Sequence, residues 1–320
     1  MFDRRSVSRT VNRALPLRAL RGAAAADSGG PADHPPIVMS TGTGPVQTNF
    51  YAAELYANLH PGVMPAGTND PNRRPSVARP RPVLLFPGWV QSAYGTFSMM
   101  ADQLQADGAC VYTLQTAQQY APLPIWQSGD PFAYADTMQR AVAQVRAVTG
   151  ARQVDVVAFS QAITIGLYYV KFLGGHQDVN TFVAYSGTPH GFDAFGLIGA
   201  AEALTGRTLA PLYGLIPPLR GYDPGGPMVT KLYDSVGPTV PEVQYVAMNN
   251  AVTRIVPDGG ELPPAANVRN IRTTDLCPAA FSSHLGYPYD PYALRVLRNV
   301  LDPANSVEPV CRLVLPQLPF

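Results

Sequence analysis

The chain has 320 residues, a formal charge of +1 and 46% hydrophobic residues. That balance, with no basic run beyond the N-terminus, excludes an electrostatic footprint for nucleic acid. No stretch of about 18 apolar residues occurs, which excludes a membrane-spanning helix, and 33 prolines with 28 glycines stay below the content that signals disorder, pointing instead to many ordered loops.

Residues 1–45 read differently from the rest. Arginines at positions 4, 5, 9, 13, 18 and 21 precede Ala23 to Ala26 and a Ser/Gly/Pro stretch. An export signal has a basic start, an unbroken apolar stretch and a small-residue cleavage site. Arg13, Arg18 and Arg21 interrupt the apolar part, so the segment reads either as a degenerate export signal or as a flexible tail. Residues 46–320 read as a single domain, since α/β folds of roughly 200 to 280 residues are routinely one unit.

From Arg81 the organisation is regular. Val83 to Phe86 is a continuous apolar run before Pro87-Gly88, as expected of a parallel strand covered on both faces. Phe97, Met100, Ala101 and Leu104 follow at helical spacing, with Gly108 just past the helix end. Then come a strand over Cys110 to Leu114 and a helix opened by Asp130 as N-cap and Pro131 as first residue, with Met138, Val142, Val145 and Val148 on one face before Gly150. Another strand is expected over Thr181 to Tyr185. Strands alternating with helices imply a mostly parallel, doubly wound sheet flanked by helices.

Between these lies the most informative segment. Val154 to Val157 leads into Ala158-Phe159-Ser160-Gln161-Ala162, then into an apolar stretch from Ile163 to Leu173 stopped by Gly174-Gly175. Strand, sharp turn and helix with a serine at the apex resemble the nucleophile elbow of α/β-hydrolases, whose usual pattern is Gly-x-Ser-x-Gly. Here alanines replace both glycines, where close approach of helix and strand leaves little room for a Cβ.

The rhythm breaks over about 188–241, where many leucines and two phenylalanines, Phe192 and Phe195, mix with glycines and Pro217-Pro218. This insertion reads as a cap, packed down over the fold or presenting apolar surface to lipid as a lid. After it come a strand over Val243 to Met248 and a terminal helix opened by Asp290-Pro291, with Leu294, Leu297 and Leu301 at helical spacing. His284 stands on the loop ahead of that helix. In α/β-hydrolases the triad runs serine, acid, histidine along the chain. His34 and His60 precede the sheet, His176 lies beyond the elbow helix and His190 comes too early, leaving His284 as the candidate base.

Further blocks make the resemblance specific. Pro65 to Asp70, Arg74-Pro75-Ser76, Arg81 to Gly88, Gly108 to Tyr112, Tyr168 to Gly175, Asp275 to Pro278, Ser283 to Gly286 and Tyr289-Asp290-Pro291 resemble actinobacterial secreted lipases of the class 2 group, related to short fungal triacylglycerol lipases. The blocks span about Asn49 to Cys311. The resemblance implies an α/β-hydrolase fold and a serine ester hydrolase that needs no cofactor or metal. Its substrate would be a lipid or small acyl ester, with the cap making peripheral contact with a lipid surface. Ser160 would be the nucleophile, His284 the general base, and the backbone N–H groups of Trp89 and Gln161 the oxyanion donors. No metal-ligand spacing, phosphate loop or nucleotide fingerprint is present.

The sequence also departs from that family. Trp89 stands where a small hydroxyl residue is common, and Phe159 where histidine is usual. The family's acid follows the strand matching Val243 to Met248, but Met248 to Pro257 contains no carboxylate; the aspartate position falls on Thr253 or Val252 according to the alignment. Asp258 is the nearest acid, and Asn250 offers an uncharged amide to the imidazole. An aspartate-to-asparagine change in a protease triad costs roughly 10⁴-fold. These departures keep open a second reading, a non-catalytic relative used for lipid binding or cell-envelope contact. The resemblance also implies a Cys277–Cys311 disulfide closing about 34 residues, worth roughly 3 to 4 kcal/mol by loop-closure entropy, and with it a secreted or cell-envelope location. The family's other disulfide partner is replaced by Arg73, leaving Cys110 as an odd thiol.

Overall fold

A computed structural model describes residues 37–115, 129–192, 204–206, 221–234, 236–250 and 260–316. The N-terminal segment up to residue 36, about half of the expected cap and Asp258 lie outside the described residues. Helix α1 is Phe50–Leu59, followed by β1 Val83–Phe86, α2 Ala93–Ala106, β2 Val111–Thr113, α3 Pro131–Thr149, β3 Val154–Phe159 and α4 Ala162–Phe172. Then come α5 Gly175–Asp178, β4 Val179–Tyr185, α6 Pro227–Leu232, β5 Gln244–Asn249, β6 Val268–Arg272, α7 Thr273–Leu276 and α8 Pro291–Leu301.

The six strands form one sheet in the order β2-β1-β3-β4-β5-β6, and all five pairings are parallel. The central strands are largely apolar on both faces because helices cover both. Leu84 and Phe86 join Val156, Ala158 and Phe182 in a core shared with α3 and α4, while Val83 and Leu85 join Val157, Phe159 and Tyr185 in a second core against α2 and α8. A one-residue shift of register would exchange the two sets, so the packing fixes the strand alignment.

Local chemistry sets the helix ends. Asp130 Oδ1 accepts from Phe132 N at 2.9 Å, Pro131 opens α3, and Gly150 closes it with φ 72°. Asp290 caps α8 in the same way, receiving Tyr292 N at 2.8 Å and Ala293 N at 3.3 Å. Each cap stabilises its helix by about 1 kcal/mol. The sheet strands and the helices α2, α3, α4 and α8 follow the sequence expectation to within a few residues, but α1 and β6 were not anticipated. In β6 only Ile271 is buried and Arg269, Asn270 and Arg272 are exposed, so this edge strand shows no apolar run.

Residues 37–45, read from the sequence as tail, are tied to the domain. Gln144 Nε2 donates to Ile37 O and Asn69 Nδ2 to Ser40 O, both at 2.9 Å, and Gly42 N donates to Thr68 O at 2.8 Å. At the other end of the chain Cys277 and Cys311 are joined by a disulfide, with Cα atoms 5.3 Å apart. Cys110 is a buried free thiol, and burial raises its pKa. No helix among the described residues is long and apolar enough to cross a membrane.

Candidate active site

In this topology the chain runs outward from β1 to β2 and then returns to place β3 on the other side of β1. Such a reversal opens a crevice at the carboxyl ends of the strands. The loops after β1, β3 and β4 supply Trp89, Ser160 and Ser186 there, and Asn250 follows β5.

Ser160 sits between the last residue of β3 and the first turn of α4 with φ 56°, a left-handed conformation that is strained for a non-glycine residue. The tight connection is closed by Ile163 N donating to Ser160 O at 3.0 Å. Space for the turn comes from glycines on the facing loops. A Cβ on Gly88 would lie 2.7 Å from Ser160 Cβ, and one on Gly187 would lie 2.8 Å from Ser160 O and overlap Ile163. The alanines at 158 and 162 are both fully buried, and the close approaches to the elbow fall on Gly88 and Gly187 instead.

His284 reaches this serine across 124 positions of sequence. Its Nε2 lies 2.9 Å from Ser160 Oγ and its Nδ1 3.1 Å from Ser186 Oγ. The imidazole also stacks on Phe159, with ring centroids 4.8 Å apart and planes at 24°. If Nε2 is to accept the serine proton, Nδ1 must carry its own and donate it to Ser186 Oγ. The ring is 3% exposed, and burial lowers its pKa from 6.5 to about 4. The neutral, proton-accepting form is therefore favoured.

Two of the sequence candidates for support of the imidazole have different placements. Asp258 lies outside the described residues. Asn250 is buried, and its Nδ2 donates to Ser282 O at 2.6 Å and Ser282 Oγ at 3.1 Å. Ser282 Oγ in turn donates to Asp290 Oδ2 at 2.7 Å. This chain of bonds fixes the loop that carries His284 to the N-terminus of α8. The group on Nδ1 is Ser186, which belongs to no motif recognised in the sequence. Its position directly after a buried strand was the one available signal.

A mostly apolar cavity of about 300 Å³ opens over Ser160 and His284, walled by Trp89, Val90, Phe192, Tyr222 and Leu285. Gln161, 2% exposed, and Trp89 both line it. Trp89 stands edge-on to Phe192 at 6.2 Å, and its Nε1 is buried with no hydrogen-bond partner among the described residues. Tyr222 is hydrogen-bonded to Thr188 Oγ1, while Thr164 Oγ1 donates to Thr188 O at 2.5 Å. His190, by contrast, bonds the Glu261 carbonyl outside the cavity. Among the described residues no group of three or more His, Cys, Asp or Glu is placed to hold a metal.

The architecture matches solved lipases. Lipase B of Aspergillus fumigatus aligns at TM-score 0.52 and 20% identity, over 69% of this chain and 52% of that one. The lipase BlEst2 of Bacillus licheniformis in its propeptide form aligns at TM-score 0.52 and 14% identity, over 77% of this chain and 54% of that one. This chain has the α/β-hydrolase fold, and it spans about half the length of either neighbour. No protein-family model matches the chain. No curated protein matches it in sequence.

Proposed function

We propose that the chain is a serine ester hydrolase that cleaves lipid or small acyl esters through an acyl-enzyme on Ser160. The observation that carries this reading is the 2.9 Å contact between Ser160 Oγ and His284 Nε2 at a strained turn beneath an apolar cavity. In the first half-reaction His284 Nε2 takes the hydroxyl proton as Ser160 Oγ attacks the ester carbonyl. The backbone N–H groups of Trp89 and Gln161 receive the tetrahedral oxyanion, and collapse expels the alcohol, protonated by His284. Water then repeats the sequence on the acyl-serine. The apolar walls suit a hydrocarbon acyl chain. The unpaired Trp89 indole N–H, costly to bury alone by roughly 1 to 3 kcal/mol, offers a further donor to a substrate oxygen.

The reading needs no cofactor. Asp258, in the segment of sequence between β5 and β6, remains the carboxylate proposed to support the imidazole. The Cys277–Cys311 disulfide is compatible with a secreted or cell-envelope protein, and mass mapping of unreduced peptides from the native source tests this: free thiols at both positions would count against export. One observation favours the second reading, a non-catalytic hydrolase relative that binds lipid: the described partner of Nδ1 is a hydroxyl and not a carboxylate. Fluorophosphonate labelling with intact-mass detection separates the two. The enzyme reading requires an adduct on the wild type that Ser160→Ala lacks, together with hydrolysis of short-chain p-nitrophenyl esters. Absence of both leaves the binding reading.

A further inference from the structure

The structure assigns to Ser186 the role of positioning residue for His284, holding the Nδ1–H tautomer through its hydroxyl oxygen so that Nε2 faces Ser160. This inference rests on the serine hydrolase reading of the same site. Three observations carry it. Ser186 is fully buried, and its Oγ lies 3.1 Å from Nδ1, on the opposite side of the ring from the 2.9 Å contact to Ser160. The two bonds together with the Phe159 stack fix the imidazole in both direction and plane.

The backbone provides the second observation. Among the described residues four non-glycine positions have positive φ: Asn69, Val90, Ser160 and Ser186. Val90 lines the cavity, Ser160 is the candidate nucleophile, and Ser186, at φ 48°, touches the candidate base. Strain of this kind, of order 1 to 3 kcal/mol per residue, persists where the surroundings over-determine it and clusters at functional sites. Here the surroundings are visible: Ser186 N donates to Met248 O at 2.7 Å, and Gly187 N donates to Asn249 Oδ1 at 3.1 Å. Both bonds come from β5, so the hydroxyl is aimed by the sheet and not by a free loop.

The third observation is where the nearby ionisable groups are engaged. Tyr185 OH donates to Tyr287 O at 3.1 Å, Tyr287 OH pairs with Thr273 Oγ1 at 3.2 Å, and Asp290 is bound by Ser282 and by the first turn of α8. Two further tyrosines nearby are engaged as well: Tyr222, which lines the same cavity, pairs with Thr188 Oγ1, and Tyr289 OH donates to Gly95 O at 2.5 Å. Each serves a structural bond, while Ser186 makes the contact to Nδ1. A neutral acceptor orients the ring and fixes its tautomer, but it supplies no charge to an imidazolium.

The test uses the full chain and three variants: Ser186→Ala, Ser186→Asn and Ser186→Asp. Asparagine and aspartate tolerate positive φ and can accept from Nδ1, whereas alanine cannot. The first readout is the ¹⁵N spectrum of the His284 ring, which reports tautomer and titration without requiring turnover. Nδ1–H should dominate in the wild type and in Ser186→Asn, and lose that dominance in Ser186→Ala. In Ser186→Asp the proton affinity should rise at least tenfold. The second readout is the rate of fluorophosphonate labelling of Ser160, expected to fall 10- to 100-fold in Ser186→Ala and to stay within about threefold of wild type in Ser186→Asn. An unchanged tautomer in Ser186→Ala, or equal labelling rates for the alanine and asparagine variants, overturns the assignment. If wild type shows the predicted tautomer but no labelling, the positioning role stands and the hydrolase reading falls.

Discussion

The two ends of the sheet handle charge in opposite ways. At the amino-terminal edge, carboxylates are gathered and paired. Arg81 Nε bonds both oxygens of buried Asp155 at 3.0 Å, Arg79 meets Asp302 at 2.7 Å, and Arg298 is bonded to Asp107, whose pKa that bond lowers. These ionic groups line or border a pocket of about 380 Å³, larger than the one over Ser160. At the carboxyl edge, the described contacts of the His284 imidazole are a ring and two hydroxyls. Pocket size alone would favour the ionic end. Chemistry favours the other, because these amino-terminal carboxylates are paired with arginines while the carboxyl end holds a strained serine, a neutral histidine and an indole N–H with no hydrogen-bond partner among the described residues.

If that division of labour is correct, the largest effect comes from the carboxyl edge. Ser160→Ala should abolish covalent labelling and lower ester hydrolysis by roughly 10³-fold or more, with little change in melting temperature. Next is the glycine that makes room for the elbow. Gly88→Ala puts a Cβ 2.7 Å from Ser160 Cβ, and displacement of the nucleophile by a fraction of an ångström to one ångström should slow labelling by about 10²-fold. Labelling kinetics on the purified variant check this.

At the other edge the expected pattern reverses. Asp107→Asn removes the charge shared by Arg298 and Arg79, and should cost about 2 kcal/mol in denaturant unfolding while leaving labelling within twofold of wild type. A large loss of labelling would break the comparison. The smallest effect is a slope. Because burial lowers the His284 pKa to about 4 from 6.5, the unfolded chain takes up a proton in this range that the folded chain refuses. The resulting stability is present above about pH 6.5 and is lost as pH falls towards 4, at up to about 1 kcal/mol per pH unit. His284→Ala should show a correspondingly flatter stability profile in this window.

Much of this arrangement is legible from the amino acids alone, for identifiable reasons. β1 and β3 are covered on both faces, so β1 is wholly apolar and β3 is apolar apart from Asp155, and Asp130-Pro131 with Gly150 marks α3 at both ends. Ser160 announces itself by strand, turn and helix, and His284 by its late position. What escapes is tertiary. Ser186 meets His284 across 98 positions, and no local pattern distinguishes it from an ordinary strand-end serine. The alanines at 158 and 162 read as damage to the elbow, yet the space comes from Gly88 and Gly187 on the loops after the neighbouring strands β1 and β4. Asn250 stands near the family's acid position, but its amide nitrogen secures the loop of His284 through Ser282.

The most direct test of the account is the pH dependence of fluorophosphonate labelling at Ser160, followed by intact mass from pH 3.5 to 8. A neutral base in a buried, apolar site predicts a Ser160-dependent adduct whose rate is nearly level down to about pH 5 and falls with a midpoint near 4. No adduct at any pH, or a midpoint near the ordinary histidine value of 6.5, would contradict it.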